Sequence, residues 1–223
     1  MARKTKEEAA ATREDILDAA LACFHEHGVA GTTLAMIASR AGYTRGAVYW
    51  HFKNKAEVIE AMLERERMPF IQRMERTSSP LRDTPVQDLR MAMLVSLGEV
   101  ADDPTLRSLL EIMLRHDLSD DSRTITQMMR DHEREEMDIV VRTLQRAQEL
   151  GQLREGVDTA VASRVLSLGM TGVMYGSMVA PELYEIRRDG MAIVDAILSA
   201  YVREGLFTPG EMPDTSGSAD WLF

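Results

Sequence analysis

The stretch Thr44-Arg45-Gly46-Ala47-Val48-Tyr49-Trp50-His51-Phe52 decides how this chain reads. It follows a short amphipathic segment, Thr33 to Ala41, and a tight turn at Gly42-Tyr43. Two short helices joined by a glycine-containing turn form a helix-turn-helix, whose second helix can enter a DNA major groove. The second helix carries suitable groups. Thr44 can cap it and reach a phosphate, and Arg45 can reach base edges. Tyr49 and His51 can donate to phosphate oxygens.

Outward from this motif the pattern is helical throughout, and the expected fold class is all-α with about nine helices. Ile16, Leu17, Ala20, Leu21, Cys23 and Phe24 recur at helical spacing, predicting a first helix from about Thr12 to His27 that Gly28 ends in a left-handed conformation. Thr32 or Thr33 caps the second helix. Asn54 caps a fourth, with Glu57 completing a capping-box-like pair. That helix runs from Lys55 to about Thr77, and Pro69 inside it should kink or split it. Further helices fall near 86–101, 105–117, 122–151, 158–179 and 189–204, separated by Pro, Gly and Asp clusters. Residues 1–9 read as a flexible basic arm, 10–54 as the helix-turn-helix domain and 55–207 as a second helical domain. The Pro-, Gly- and Ser-rich end, 208–223, reads as a disordered tail.

The net charge of −10 over 223 residues is odd for a DNA binder until it is divided. Residues 1–58 carry eight Lys/Arg against seven Asp/Glu, net +1, so the remainder is −11. The acidic part should repel DNA and turn the basic end toward it. One cysteine, Cys23, excludes an internal disulfide and fits a reducing, cytoplasmic setting. The polar helix after the basic start is no signal peptide. The longest uncharged run, Val165 to Pro181, is shorter than the roughly 20 residues a membrane span needs, so no membrane partner is expected. His25 and His27 are spaced to face apart on a helix, and Asp131 to Glu136 reads as a solvated face, so no metal site is expected. No catalytic constellation appears, and no cofactor is implied.

Thr12-Arg13, Ile16-Leu17-Asp18-Ala19-Ala20, Phe24, Gly28, Thr32-Thr33, Ile37-Ala38, Ala41-Gly42, Arg45 to Phe52 and Lys53-Asn54-Lys55 together resemble the TetR/AcrR family of one-component regulators. The resemblance is specific over about 50 residues. The opening Met-Ala-Arg-Lys-Thr-Lys-Glu-Glu and the nine-helix plan are similar to the subgroup that represses multidrug efflux pumps. It implies a homodimer that holds a palindromic double-stranded operator and is released by hydrophobic small molecules. It carries DNA contact to Thr33, Thr44, Arg45, Gly46, Tyr49, Trp50, His51 and Lys55. Helix N-termini at Thr33 and Lys55 suit phosphate on physical grounds. Trp50 can equally pack the small domain, and Phe52 is read as core.

Gly172, Gly176 and Ala180 are spaced by four residues, as are Ala192, Ala196 and Ala200. Such small stripes let helices approach closely, within one subunit or between two. The family dimerises through these last two helices. Sixteen methionines suit an adaptable apolar site. Phe70, following Pro69 on the joining helix, is a candidate ligand contact, and Met174 is another. Arg67 is placed to bond a ligand or gate the pocket mouth, and Met93, Ser96, Met113 and His132 join partly by resemblance. The competing readings are a ligand-independent DNA-binding dimer, a regulator of another pathway, and an enzyme with an accessory helix-turn-helix.

Overall fold

The computed structural model describes residues 6–114 and 120–212, without the side chains of Met68 and residues 113–125. Among the described residues there are nine helices: α1 (Lys6–Gly31), α2 (Leu34–Ala41), α3 (Arg45–His51), α4 (Lys55–Thr77), α5 (Pro85–Asp102), α6 (Pro104–Leu114), α7 (Asp120–Glu149), α8 (Thr159–Val179) and α9 (Ile186–Tyr201). They divide into two compact units, Met1–Arg67 with Pro104–Arg130, and Met68–Asp103 with Asp131–Phe223.

In the first unit, α1 packs on α2 and α6, and α2 packs on α3. Ile16, Leu17, Phe24, Ile37, Val48, Phe52, Val58, Ile59 and Met62 form its core, joined by Leu109 and Ile112 of α6. The cap residues read from sequence do their work. Thr33 Oγ1 accepts from Met36 N and Thr44 Oγ1 from Ala47 N, both at 3.2 Å. Thr32 is buried instead, its hydroxyl on the carbonyls of Gly28 and Cys23 at the end of α1. Asn54 Oδ1 accepts from Glu57 N at 2.9 Å, while Glu57 Oε2 accepts from Lys53 N at 2.8 Å, one residue earlier than a strict capping box.

Three expectations at the ends of elements need correction. Helix α1 begins at Lys6, inside the stretch read as an arm, because Glu7, Glu8 and Ala9 are good first-turn residues. Gly28 has positive φ, 70°, but its ψ of 168° is extended, a region almost confined to glycine, and one more helical turn follows it to Gly31. Residues 208–212, read as tail, are tied down: Gly210 N donates to Asp195 Oδ2 at 2.7 Å, and the Glu211 carbonyl accepts from Arg90 Nη2 at 2.7 Å. Residues 1–5 and 213–223 lie outside the described residues.

In the second unit α5 is buried on nearly every side, from Val86 to Val100, as befits a central helix. Helix α9 packs against α5 and α8. Helix α4 runs unbroken through Pro69 rather than splitting there. Its later part is bonded within this unit, Thr77 Oγ1 to Thr143 Oγ1 of α7 at 2.7 Å and Arg142 Nη2 to the Glu75 carboxylate at 3.0 Å. The turn after α7 and the chain after α9 meet in a short antiparallel bridge, Leu153 with Val202. No helix among the described residues is long and apolar enough to cross a membrane.

Candidate functional site

Helix α3 is short, seven residues, and its two faces are sharply unequal. Val48 is fully buried, and Phe52, its C-cap, is core. Arg45, Gly46, Tyr49 and Trp50 are exposed, Tyr49 by 56% and Trp50 by 73%. Positions 45, 46, 49 and 50 lie on one helical face, so the outward arc is a single strip carrying one guanidinium, one phenol and one indole. Trp50 therefore does not pack the small domain. Its ring meets His51 edge-on, centroids 4.6 Å apart, which leaves the histidine half-covered.

Gly42 caps α2 in the left-handed conformation (φ 73°, ψ 20°) and turns the chain toward α3. The turn is fixed twice more. Tyr43 N donates to Ala38 O at 3.0 Å, and the Tyr43 hydroxyl donates to Asp15 Oδ2 of α1 at 2.6 Å. That carboxylate raises the Tyr43 phenol above its ordinary pKa. Thr33 and Thr44 are exposed at the starts of α2 and α3. Each hydroxyl oxygen accepts a backbone N–H. Lys55 is half-buried, its ammonium donating to Val29 O at 2.9 Å, so the charge is held beside the start of α4. Lys53, which the sequence reading passed over, extends into solvent beside it, its side chain 87% exposed. The signal for it was available: a basic residue directly after the C-cap of α3.

The ligand candidates fall in both units. Arg67 is half-buried at the end of the first unit's share of α4. In the second unit Met93 is 3% exposed and belongs to the core, whereas Ser96, one turn on, is half-buried with its hydroxyl on Ala92 O. Phe70 is half-buried one turn before Arg73, whose guanidinium pairs with Glu99 of α5, one turn after Ser96. Those two turns of α4 and α5 therefore face each other. His132 and Met174 are half-buried on α7 and α8, which Ser167 Oγ joins by donating to Glu133 Oε1 at 2.7 Å. The side chain of Met113 lies outside the described residues. Among the described residues no group of three His, Cys, Asp or Glu could hold a metal ion.

The small-residue stripes separate. Gly172, Ala192, Ala196 and Ala200 are exposed. Gly176 lies under the Tyr184 ring, where a Cβ would come within 3.1 Å, so it serves packing inside the chain. Ala180 is the half-buried C-cap of α8. The exposed apolar row of α8 is instead Val161, Val165, Leu168, Gly172, Tyr175 and Val179, with Leu168 71% exposed. Spacings of four and three repeat along it, the period of a helix seam. Leu183 and Tyr184 extend the exposed apolar surface past the end of α8.

Comparison with known proteins agrees with this anatomy. Residues 16–62 match the model for bacterial regulatory proteins of the tetR family, and residues 84–203 match the C-terminal region of MAATS-type transcriptional repressors. The chain is 33% identical over 197 residues to the regulator TtgR of Pseudomonas putida, covering 87% of this chain and 93% of TtgR. It is 29% identical over 204 residues to the probable acrEF/envCD operon repressor of Escherichia coli, covering 91% and 92%. Among solved structures, SmeT, the repressor of the Stenotrophomonas maltophilia multidrug efflux pump SmeDEF, is 53% identical, covering 91% of this chain and 96% of SmeT with a TM-score of 0.84. A SmeT–triclosan complex superposes with a TM-score of 0.88 at 56% identity, covering 92% and 98%. The chain belongs to the tetR family of bacterial regulatory proteins, within the MAATS-type transcriptional repressors.

Proposed function

We propose that the protein is a ligand-responsive repressor of a multidrug efflux operon, bound to its operator as a homodimer and released by hydrophobic compounds. The observation that carries this reading is the strip Arg45, Gly46, Tyr49 and Trp50, turned outward from a helix-turn-helix. Close similarity to SmeT over nearly the whole chain supports the efflux assignment.

We assign base readout to Arg45, whose planar fork suits guanine O6 and N7. Gly46 lets the backbone come close, since nothing but the Thr44 hydroxyl, at 3.9 Å, crowds that position. Thr33, Thr44, Tyr49, Trp50, His51 and Lys55 take phosphate and sugar contacts that set register. Residues 10–54 read DNA together with Lys55 at the boundary, and the rest of 55–207 binds ligand and dimerises. Dimerisation uses the exposed row of α8 with Ala192, Ala196 and Ala200 of α9. Two-fold symmetry then demands a palindromic operator. Such a target places the protein's work in the cytoplasm, at the nucleoid.

Phe70, Ser96, His132 and Met174, all of the second unit, are the ligand contacts this reading favours. Ligand releases the operator only in proportion to its greater affinity for the released form. The test is a mobility-shift titration on an inverted-repeat duplex selected from random sequence, with triclosan and a panel of apolar drugs as probes. Release at drug concentrations that leave nonspecific binding intact is expected. Retention with every compound would instead favour a ligand-independent DNA-binding dimer.

A further inference from the structure

We infer that Arg65 is a latch that makes the DNA-reading helices follow α4, and so a positioning residue for ligand response. The inference rests on the functional reading above. Arg65 is about three-quarters buried on α4, and its guanidinium gathers three carboxylates. Nη1 donates to Glu14 Oε2 at 3.1 Å and to Asp18 Oδ1 at 2.9 Å, both on α1, and Nε donates to Glu66 Oε1 at 2.7 Å. Partial burial opposes the charge, but the three carboxylates outweigh it and hold Arg65 more firmly protonated than usual.

The position along α4 gives the cluster its meaning. Before it, Val58, Ile59, Met62 and Leu63 are buried in the core of the first unit. Those contacts are apolar and therefore non-directional. They hold α4 against α1 without fixing its angle. A planar guanidinium whose Nη1 bridges two residues one turn apart on α1, while its Nε is held by Glu66 of α4, does fix it. Four residues later comes Pro69, which has no N–H to give the Arg65 carbonyl. Arg65 is thus a directional tie one turn before Pro69, where α4 lacks a backbone bond, and the chain from Met68 onward belongs to the second unit.

Helix α1 carries the tie to the DNA strip. Asp15, between Glu14 and Asp18, holds the Tyr43 hydroxyl in the turn two residues before Arg45. A change in the angle of α4 therefore reaches Arg45 through two polar contacts on one edge of α1. Ion pairs whose carboxylates are this open to solvent add little to folding stability. Asp18 and Glu14 have side chains 70% and 49% exposed, so their use lies in orientation.

The test uses the full-length dimer, a selected inverted-repeat duplex and triclosan. The quantity read is the ratio of operator affinities without and with saturating triclosan. Arg65→Gln is expected to shrink that ratio about fivefold or more, with the triclosan Kd, the thermal midpoint and random-DNA affinity unchanged. Arg65→Lys, which keeps charge but loses the plane that ties Nε to Glu66 and Nη1 to α1, should do the same, and it serves if Arg65→Gln folds poorly. The pair Glu14→Gln/Asp18→Asn should reproduce the loss, and adding Arg65→Gln to it should change nothing more. A wild-type ratio in Arg65→Gln, or additive losses, overturns the latch. If wild type itself is not released, the functional reading fails. The latch is then judged on ligand-free operator affinity. There the same non-additive loss, about threefold, is expected, and wild-type affinity in Arg65→Gln overturns it.

Discussion

Arg90 of α5 and Asp195 of α9 meet as a two-point ion pair, Nε to Oδ1 at 2.6 Å and Nη2 to Oδ2 at 3.0 Å, with side chains 2% and 5% exposed. The C-terminal segment completes the pair. Phe207 lays its ring centre 5.0 Å from the guanidinium carbon, Glu211 O accepts a further hydrogen bond from Arg90 Nη2, and Gly210 N donates to Asp195. Removing one partner strands the other charge in the interior. Asp195→Ala should cost about 3–5 kcal/mol, whereas Arg90→Met/Asp195→Leu should cost far less. Urea unfolding midpoints of the two variants check this.

Arg45→Ala should lower affinity for the selected operator by about 1–3 kcal/mol while sparing random duplex. Lys53→Ala should weaken both alike and reduce the slope of log affinity against log salt by about one unit. Salt titrations on the two DNAs separate the roles, and equal losses for Arg45→Ala would remove it from base readout.

Leu168→Lys places a charge in the middle of the exposed row of α8. Since the site faces solvent in the isolated chain, the helical fold should be retained, checked by circular dichroism, and folding stability should fall only by the dimerisation energy lost. Sedimentation should show the shift from dimer to monomer, and operator binding should fall with it. Gly176→Ala should instead disturb the packing of Tyr184 and leave the oligomeric state alone.

Glu185 caps α9, its carboxylate accepting from Arg187 N at 3.0 Å and Arg188 N at 2.6 Å, while its own N–H donates to Asp189 Oδ2 at 2.7 Å. The two backbone donors hold the Glu185 carboxyl below its usual pKa. A depressed carboxylate pKa stabilises the fold above the unfolded-chain value, near 4.3, and the benefit disappears as pH falls through the folded value. Glu185→Gln should therefore be less stable than wild type at pH 7, with the difference closing in acid. Thermal midpoints from pH 7 to pH 3 measure it.

Local chemistry made much of this legible beforehand. Thr33, Thr44 and Asn54 announce helix starts because their side chains satisfy backbone donors within three residues. The strip on α3 follows from 3.6-residue periodicity and the apolar character of Val48 and Phe52. What failed to show was long-range. Nothing in the text of α6 says that Leu109 and Ile112 join the core of the first unit. Arg90 and Asp195 lie 105 residues apart, and neither looks unlike a surface charge. On α8 the four-residue spacing of Gly172, Gly176 and Ala180 masked the alternating row from Val161 to Val179. Glycine signals close approach without naming the neighbour, and for Gly176 that neighbour is Tyr184.

Cys23 is the chain's one thiol and is 3% exposed, with burial, the leading influence, pushing its pKa up. The native protein thus comes with a chemically silent background for maleimide labelling. A cysteine introduced at Ser39, on the exposed side of α2, would accept a single fluorophore or nitroxide per subunit. Distances between two such probes across an assembled pair would follow the separation of the DNA-reading ends directly, as drug is added.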